Sequence, residues 1–295
     1  MSAAPTAHAV HARERRATFG DLANRRVGLV LGAGGATGMA FHAGTLLALS
    51  NDFGWDPRNA AAIVGTSAGS VIATLLRGGL STDDLAAWCA EVDPSPGGES
   101  YRAMLAEAES IKPRLRRQRL PTSGFVDARP GLAAFAALHD RWPDDALWIN
   151  AVRRHDGRRV VFGRDLNPDL GDAVAASCAI PGLFTPVRIG RHEYVDGAAY
   201  SPTNADVLRD TAVDTVVVLS PMSMRQRTPR RHPDRMMRAA HRQRLRGERS
   251  ALRRAGIEVH IFEPDDATLQ VMGTNALDRR RAGRVVRESF LNAAS

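Results

Sequence analysis

Two short stretches carry residue types that do chemistry together. Residues 63–70 read IVGTSAGS, a G-x-S-x-G run (Gly65, Ser67, Gly69) behind an apolar segment at 61–64. In a strand-to-helix elbow of this kind the serine sits on a sharp turn with its hydroxyl projecting, and the flanking glycines allow the tight path. One strand earlier, residues 32–38 read GAGGATG directly after the apolar run 27–31. Such a loop lets backbone approach a ligand and leaves amide N–H groups unpaired at a helix N-terminus, where a negatively charged oxygen is favoured. Thr37 reads as the N-cap of that helix. Each motif alone is weak, since glycine loops after a first strand more often hold phosphates and G-x-S-x-G occurs by chance. Their adjacency brings an anion-ready loop and an exposed serine to one sheet edge.

A serine hydroxyl is weakly nucleophilic until a neighbour takes its proton, so Ser67 needs a base. The histidines after it are His139, His155, His192, His232, His241 and His260. His155 falls in a turn, His232 and His241 in an arginine-rich segment, and His260 in a strand. His192 lies four residues before Asp196. An α/β-hydrolase would supply Ser, Asp/Glu and His in that order, but its elbow normally follows several strands, and Ser67 follows only the second. Asp196-Gly197 reads either as a plain turn between strands or as the carrier of the base. His42, on a nearly all-apolar helix, reads as a core residue.

Three segments together, LGAGGATGMAFHAGTL (31–46), GTSAGS (65–70) and YVDGAAYSPTN (194–204), resemble the oxyanion loop, nucleophile elbow and Asp-Gly turn of patatin-like phospholipases. The run AASCAIPGLFTPVRI (175–189) is similar to that family's approach to the Asp-Gly turn. The resemblance spans roughly 25–218 and continues more faintly beyond. It implies an α/β fold, a mainly parallel central sheet flanked by helices on both faces in a three-layer sandwich. It implies a Ser67–Asp196 dyad with no histidine, and oxyanion donors at the amides of Gly34 and Gly35. Gly32, Ala33, Gly38, Gly65, Gly69, Gly197 and Ala198 shape the motifs. The implied activity is lipid ester hydrolysis through an acyl-enzyme, without metal or cofactor.

Two positions depart from the family pattern: Ala33 replaces the first glycine of the usual triplet, and Thr37 replaces an Arg or Lys. The second departure keeps open a catalytically weak lipid-binding relative. The other alternative is a nucleotide- or phosphate-binding module using 32–38. Against it, G-x-G-x-x-G fails from Gly32 because Thr37 holds the last position, and the only lysine, Lys112, supplies no Walker motif.

These motifs need strands and helices to hold them. The 295 residues suit one large α/β domain or two small ones. The expected layout is a disordered basic tail over 1–24 and one domain over 25–295. Within that domain a flap insertion is expected at 99–130, and a basic helix, strand and helix at 225–295. Strands are expected at 61–64, 147–152, 159–162, 215–219 and 258–262, and the runs 183–189 and 193–195 lead into Asp196-Gly197. Helices are expected at 70–76, 81–92, 131–140, 172–178 and 277–291, and in the second part of 225–249, with Met237, Leu245, Leu252 and Ala255 on one face.

The net charge is +8, carried almost wholly by arginine, which favours anionic partners. Clusters at 114–119 and 225–249 are the expected contacts with anionic membrane. Nucleic acid is disfavoured because no aromatic residues interleave the arginines. Cys89 and Cys178 lack metal-ligand spacing and read as reduced core thiols. No stretch is apolar enough to span a bilayer and the start resembles no secretory signal, so a cytoplasmic setting with peripheral membrane contact is expected. Acyl lipid is the expected substrate.

Overall fold

The computed structural model describes residues 22–91, 142–225 and 233–294. The tail to residue 21, the flap at 99–130, the helix at 131–140 and the 114–119 cluster fall outside the described residues.

Eight strands form one sheet: β1 (Val27–Leu31), β2 (Ala62–Thr66), β3 (Ala146–Arg153), β4 (Arg159–Phe162), β5 (Val187–Ile189), β6 (His192–Asp196), β7 (Thr215–Leu219) and β8 (Glu258–Phe262). Their order is β5-β6-β3-β2-β1-β7-β8, with β4 also paired to β3. The run from β3 through β2, β1 and β7 to β8 is parallel. The β3–β4, β3–β6 and β5–β6 pairs are antiparallel. Every residue of β1, β2 and β7 is buried, which explains why they read as unbroken apolar runs, as strands covered on both faces do.

Successive residues of a strand point to opposite faces, and here they enter two different cores. Leu29 and Leu31 join a large cluster that includes Phe41, Ile63, Ile72 and Val285. Val30 and Val64 join a smaller one with Leu208, Leu245 and Leu252. The first cluster lies under α1 (Gly35–Asn51), α2 (Ala68–Arg77), α3 (Thr82–Ala90), α4 (Leu170–Ser177) and the last helix. The second lies under α5 (Arg235–Arg254) and the 3-10 turn Ala205–Leu208. This is the expected α/β sandwich, a mostly parallel sheet with helices on both faces. A short α6 (Asp266–Met272), capped by Asp265, precedes α7 (Ala282–Ala294). No helix among the described residues is long and apolar enough to cross a membrane.

Several expectations are corrected in detail. Helix α1 begins at Gly35 with Gly34 in the capping position, so Thr37 lies inside its first turn and does not cap it. Helix α4 begins at Leu170 because the Asp169 carboxylate accepts the Asp172 amide. The last helix begins at Ala282, leaving Leu277 in the preceding loop. The buried face of α5 carries Arg238, Leu245, Glu248 and Leu252, whereas Met237 and Ala255 are exposed. A charged residue occupies that face at Arg238 because its guanidinium donates to the Asp234 carboxylate and to the carbonyls of Pro221 and Ser223. Buried charge is tolerated when it is paired and hydrogen-bonded in this way.

Candidate active site

Ser67 follows the last residue of β2 and caps α2 with φ 55° and ψ −123°. A side chain at positive φ is strained and needs surroundings that over-determine it. Two contacts supply them. The Ser67 amide donates to the Ser177 hydroxyl at 2.9 Å, and that hydroxyl donates to the Asn150 carbonyl at 2.7 Å. On the other side Gly69 lets α2 press onto the end of β1, where a Cβ would stand 1.9 Å from the Leu31 carbonyl oxygen. Gly65 is the fourth residue of β2. The elbow is thereby pressed against the start of the glycine loop.

That loop is tied down residue by residue. The Gly32 amide donates to the Leu219 carbonyl at 3.0 Å and the Ala33 amide to the Pro202 carbonyl at 2.8 Å. His42 is fully buried, and its Nε2 lies 2.7 Å from the Gly32 carbonyl oxygen. Burial lowers the His42 pKa to about 4, so the ring is neutral near pH 7 and donates through Nε2. The sequence-level reading of His42 as a core residue holds, and the residue also anchors the loop. Gly35 has φ 61° and packs against Ala276. The Thr37 amide donates to the Ala276 carbonyl at 3.0 Å and the Gly38 amide to the Gly34 carbonyl at 2.9 Å. The amides of Gly34, Gly35 and Ala36 donate to no acceptor among the described residues. They are left at the N-terminus of a 17-residue helix, where partial positive charge accumulates.

Asp196 ends β6 and is 3% exposed. Its amide donates to the Ala179 carbonyl at 2.9 Å, and its carboxylate accepts the Ala198 amide at 2.8 Å. The Ser67 side chain lies near that carboxylate. Burial raises the Asp196 pKa to about 6, against the opposing pull of the Ala198 amide and Ser67. Gly197 opens the turn against the backbone of Asn150.

Among the described histidines, His155 and His192 stack on each other at the β5–β6 end, and His260 lies on β8 at the far end of the sheet. Neither motif nor spacing singled out the network that joins the three motif segments. Asn204, at φ 53°, donates from its amide nitrogen to the Thr66 hydroxyl at 3.2 Å and to the Ser201 carbonyl at 2.6 Å. The buried Glu248 carboxylate accepts from the hydroxyls of Ser201 and Thr203 and from the Ala205 amide. The 201–205 segment therefore touches the residue before Ser67, follows the Asp196 turn and holds Ala33 through Pro202. Asn204 belongs to a segment already singled out, but Glu248 sits in an arginine-rich helix without any local signal. Cys178 was read as a core thiol. It lies beside Ser67, Ser70 and Asp196, and burial, then Asp196, pushes its thiol up to about 12. Among the described residues no three His, Cys, Asp or Glu side chains gather into a metal site.

In this arrangement a hydroxyl, a buried carboxylate of raised pKa and a set of unpaired amides meet at the C-terminal edge of parallel strands. It can move a proton off an attacking oxygen and stabilise an oxyanion. A family model described as Patatin-like phospholipase matches residues 29–209. Among solved structures, VipD from Legionella pneumophila is 14% identical with a TM-score of 0.44, over 91% of this chain and 66% of that one. Human GIVD cytosolic phospholipase A2 is 12% identical with a TM-score of 0.43, over 99% of this chain and 63% of that one. The chain thus spans just under two thirds of either protein.

Proposed function

The chain belongs to the patatin-like phospholipase family, and from that premise we propose that it is a lipid acyl hydrolase working through a Ser67–Asp196 dyad. The observation that carries this reading is a strained Ser67 beside the buried Asp196 carboxylate, whose pKa it helps to lower against the effect of burial. As Ser67 Oγ bonds to the ester carbonyl carbon, its proton passes to Asp196 and the carbonyl π pair moves onto oxygen. The amides of Gly34 and Gly35 receive that oxyanion, one such donor being worth about 3 kcal/mol. On collapse the bond to the alcohol breaks, and Asp196 returns the proton to the leaving oxygen. Water then repeats the sequence on the acyl-enzyme and releases a fatty acid.

The substrate class is acyl lipid met at a membrane surface, with residues 25–295 acting as one domain. The dyad chemistry asks for no metal or cofactor. Thr37 stands where relatives carry a cation, and its amide and hydroxyl both turn to the Ala276 carbonyl. This favours a second reading, a relative that binds lipid but turns over slowly. A fluorophosphonate probe tests both: labelling that disappears in Ser67→Ala supports the hydrolase, and an unlabelled, folded wild type overturns it.

A further inference from the structure

Strand directions place a second set of groups on the edge that carries Ser67. β3 runs past Asn150, level with Thr66, to Arg153, and β6 returns from His192 to Asp196. At about 3.3 Å per residue the β5–β6 turn stands roughly 13 Å beyond Asp196 on that edge. There Arg154, Arg188, Arg191, His155, His192 and Glu193 line an open concavity of about 540 Å³. Glu193 is the single carboxylate of that lining, bonded to Arg154 at 2.8 Å and paired with Arg188 at 3.5 Å. Three guanidiniums against one carboxylate leave the tip positive.

The same edge exposes apolar side chains beside the catalytic loops. Met236 is 85% exposed and Met237 47%. They directly precede Arg238, which donates to the carbonyl of Pro221, the residue that backs onto Gly34. Leu277, also exposed, follows the Ala276 whose carbonyl accepts the Thr37 amide. Leu183 bonds to Ile180, next to the Ala179 that accepts the Asp196 amide. Exposed apolar groups gathered at one rim mark a contact surface, and free phosphate or nucleic acid would leave them in water.

We propose that this edge is the membrane-docking face, with the Arg154/Arg188/Arg191 tip seating anionic lipid headgroups and Met236, Met237, Leu183 and Leu277 entering the acyl layer. The proposal rests on the lipid-hydrolase reading, and it moves the basic contact from the arginines of α5 to the opposite end of the sheet. The docked edge is the one that carries Ser67, itself only 6% exposed.

The test is co-sedimentation of the full chain carrying Ser67→Ala, so that vesicles survive, with phosphatidylcholine vesicles containing or lacking phosphatidylserine. Adding Arg188→Gln/Arg191→Gln is expected to weaken binding to the anionic vesicles about 30-fold. Arg253→Gln/Arg254→Gln, equal in charge but at the other edge, is expected to leave it unchanged, and Met236→Ser/Met237→Ser to weaken binding to both vesicle types. Equal losses in both arginine pairs, or none in either, overturn the docking face. Displacement by inorganic phosphate at matched ionic strength overturns it in favour of a small-anion site. Hydrolysis of a soluble p-nitrophenyl ester by the chain with Ser67 intact, and by its Arg188→Gln/Arg191→Gln variant, reports the hydrolase reading and the fold separately.

Discussion

Thr66 and Asp196 are held by consecutive residues of one strand: Asn150 of β3 pairs with Thr66, and Ala151 pairs with Asp196. Because Ser67 directly follows Thr66, β3 sets the spacing between Ser67 and Asp196 before any side chain is placed. The site is therefore built on sheet register, which is strongly specified where both faces are buried.

Removing the proposed nucleophile separates chemistry from strain. Ser67→Ala is expected to abolish ester turnover in a folded protein. Ser67→Gly is expected to be equally inactive yet more stable than Ser67→Ala by about 1 kcal/mol, because only glycine accepts φ 55° and ψ −123° without cost. Urea denaturation of the two variants measures it, and equal midpoints would show that the elbow stores no strain.

The pH dependence follows from Asp196, whose pKa is raised from 3.8 to about 6. It accepts a proton only when ionised, so kcat/KM on a soluble ester should rise with pH through about 6 and then level. The effect on stability has the opposite sense. The folded chain holds this proton more tightly than the unfolded one, so the contribution is full below about pH 4 and lost as pH rises through about 6. Asp196→Asn should thus be inactive and, at pH 8, more stable than wild type by up to about 3 kcal/mol. Denaturation at pH 4 and pH 8 checks this, since the gain should vanish at the lower value.

The glycine loop should be intolerant of a single methyl group. In Gly35→Ala the Cβ meets the Ala276 carbonyl oxygen at 2.6 Å and a φ of 61° that alanine disfavours. Misaiming the free amides is expected to cost about 10²–10³ in kcat with little change in KM. Steady-state kinetics on a soluble ester decide it.

Histidine substitutions should divide by position. His192→Ala and His260→Ala are expected to keep most activity. Loss of activity in either, with Asp196→Asn still active, would restore a histidine base. His42→Phe removes the donor to the Gly32 carbonyl and should lower kcat without shifting the ascending limb near pH 6.

Glu248 is the most distant prediction. Its carboxylate accepts from three donors, so Glu248→Gln turns an N–H toward one of them, at a cost of about 1–3 kcal/mol. Because the 201–205 segment holds Ala33 and Thr66, kcat should fall while KM changes little. A stability loss with unchanged kcat would reduce Glu248 to a structural role.

The parts of this molecule legible in its sequence are the local ones. A buried strand followed by a glycine turn and a helix is written within about a dozen residues, so β1–α1, β2–α2 and the Asp196 turn can all be read in order. The start of α1 was not, because Gly34 and Gly35 adopt backbone conformations that no composition reports. Met237 was misassigned to the buried face of α5 because apolarity stood in for burial. Arg238 takes that face only through the carbonyls of Pro221 and Ser223, which tertiary structure brings there. Ser177, Asn150, Asn204 and Glu248 act across long separations, such as the 110 residues between Ser67 and Ser177, and no local pattern encodes such a partnership.

The packing of α7 on α1 has a consequence for synthesis. Gly44 of α1 lies so close to α7 that a Cβ there would stand 2.1 Å from the Val286 carbonyl oxygen. The helix whose first amides are the proposed oxyanion donors is thus braced by residues made more than two hundred positions later. A chain still on the ribosome without residues 282–294 lacks that brace, so hydrolysis should begin only after those residues emerge. Ribosome-arrested chains ending before Ala282 should show no fluorophosphonate labelling, and chains extended past Ala294 by a linker should gain it. The proposed oxyanion loop would in this way gain its support only when α7 docks.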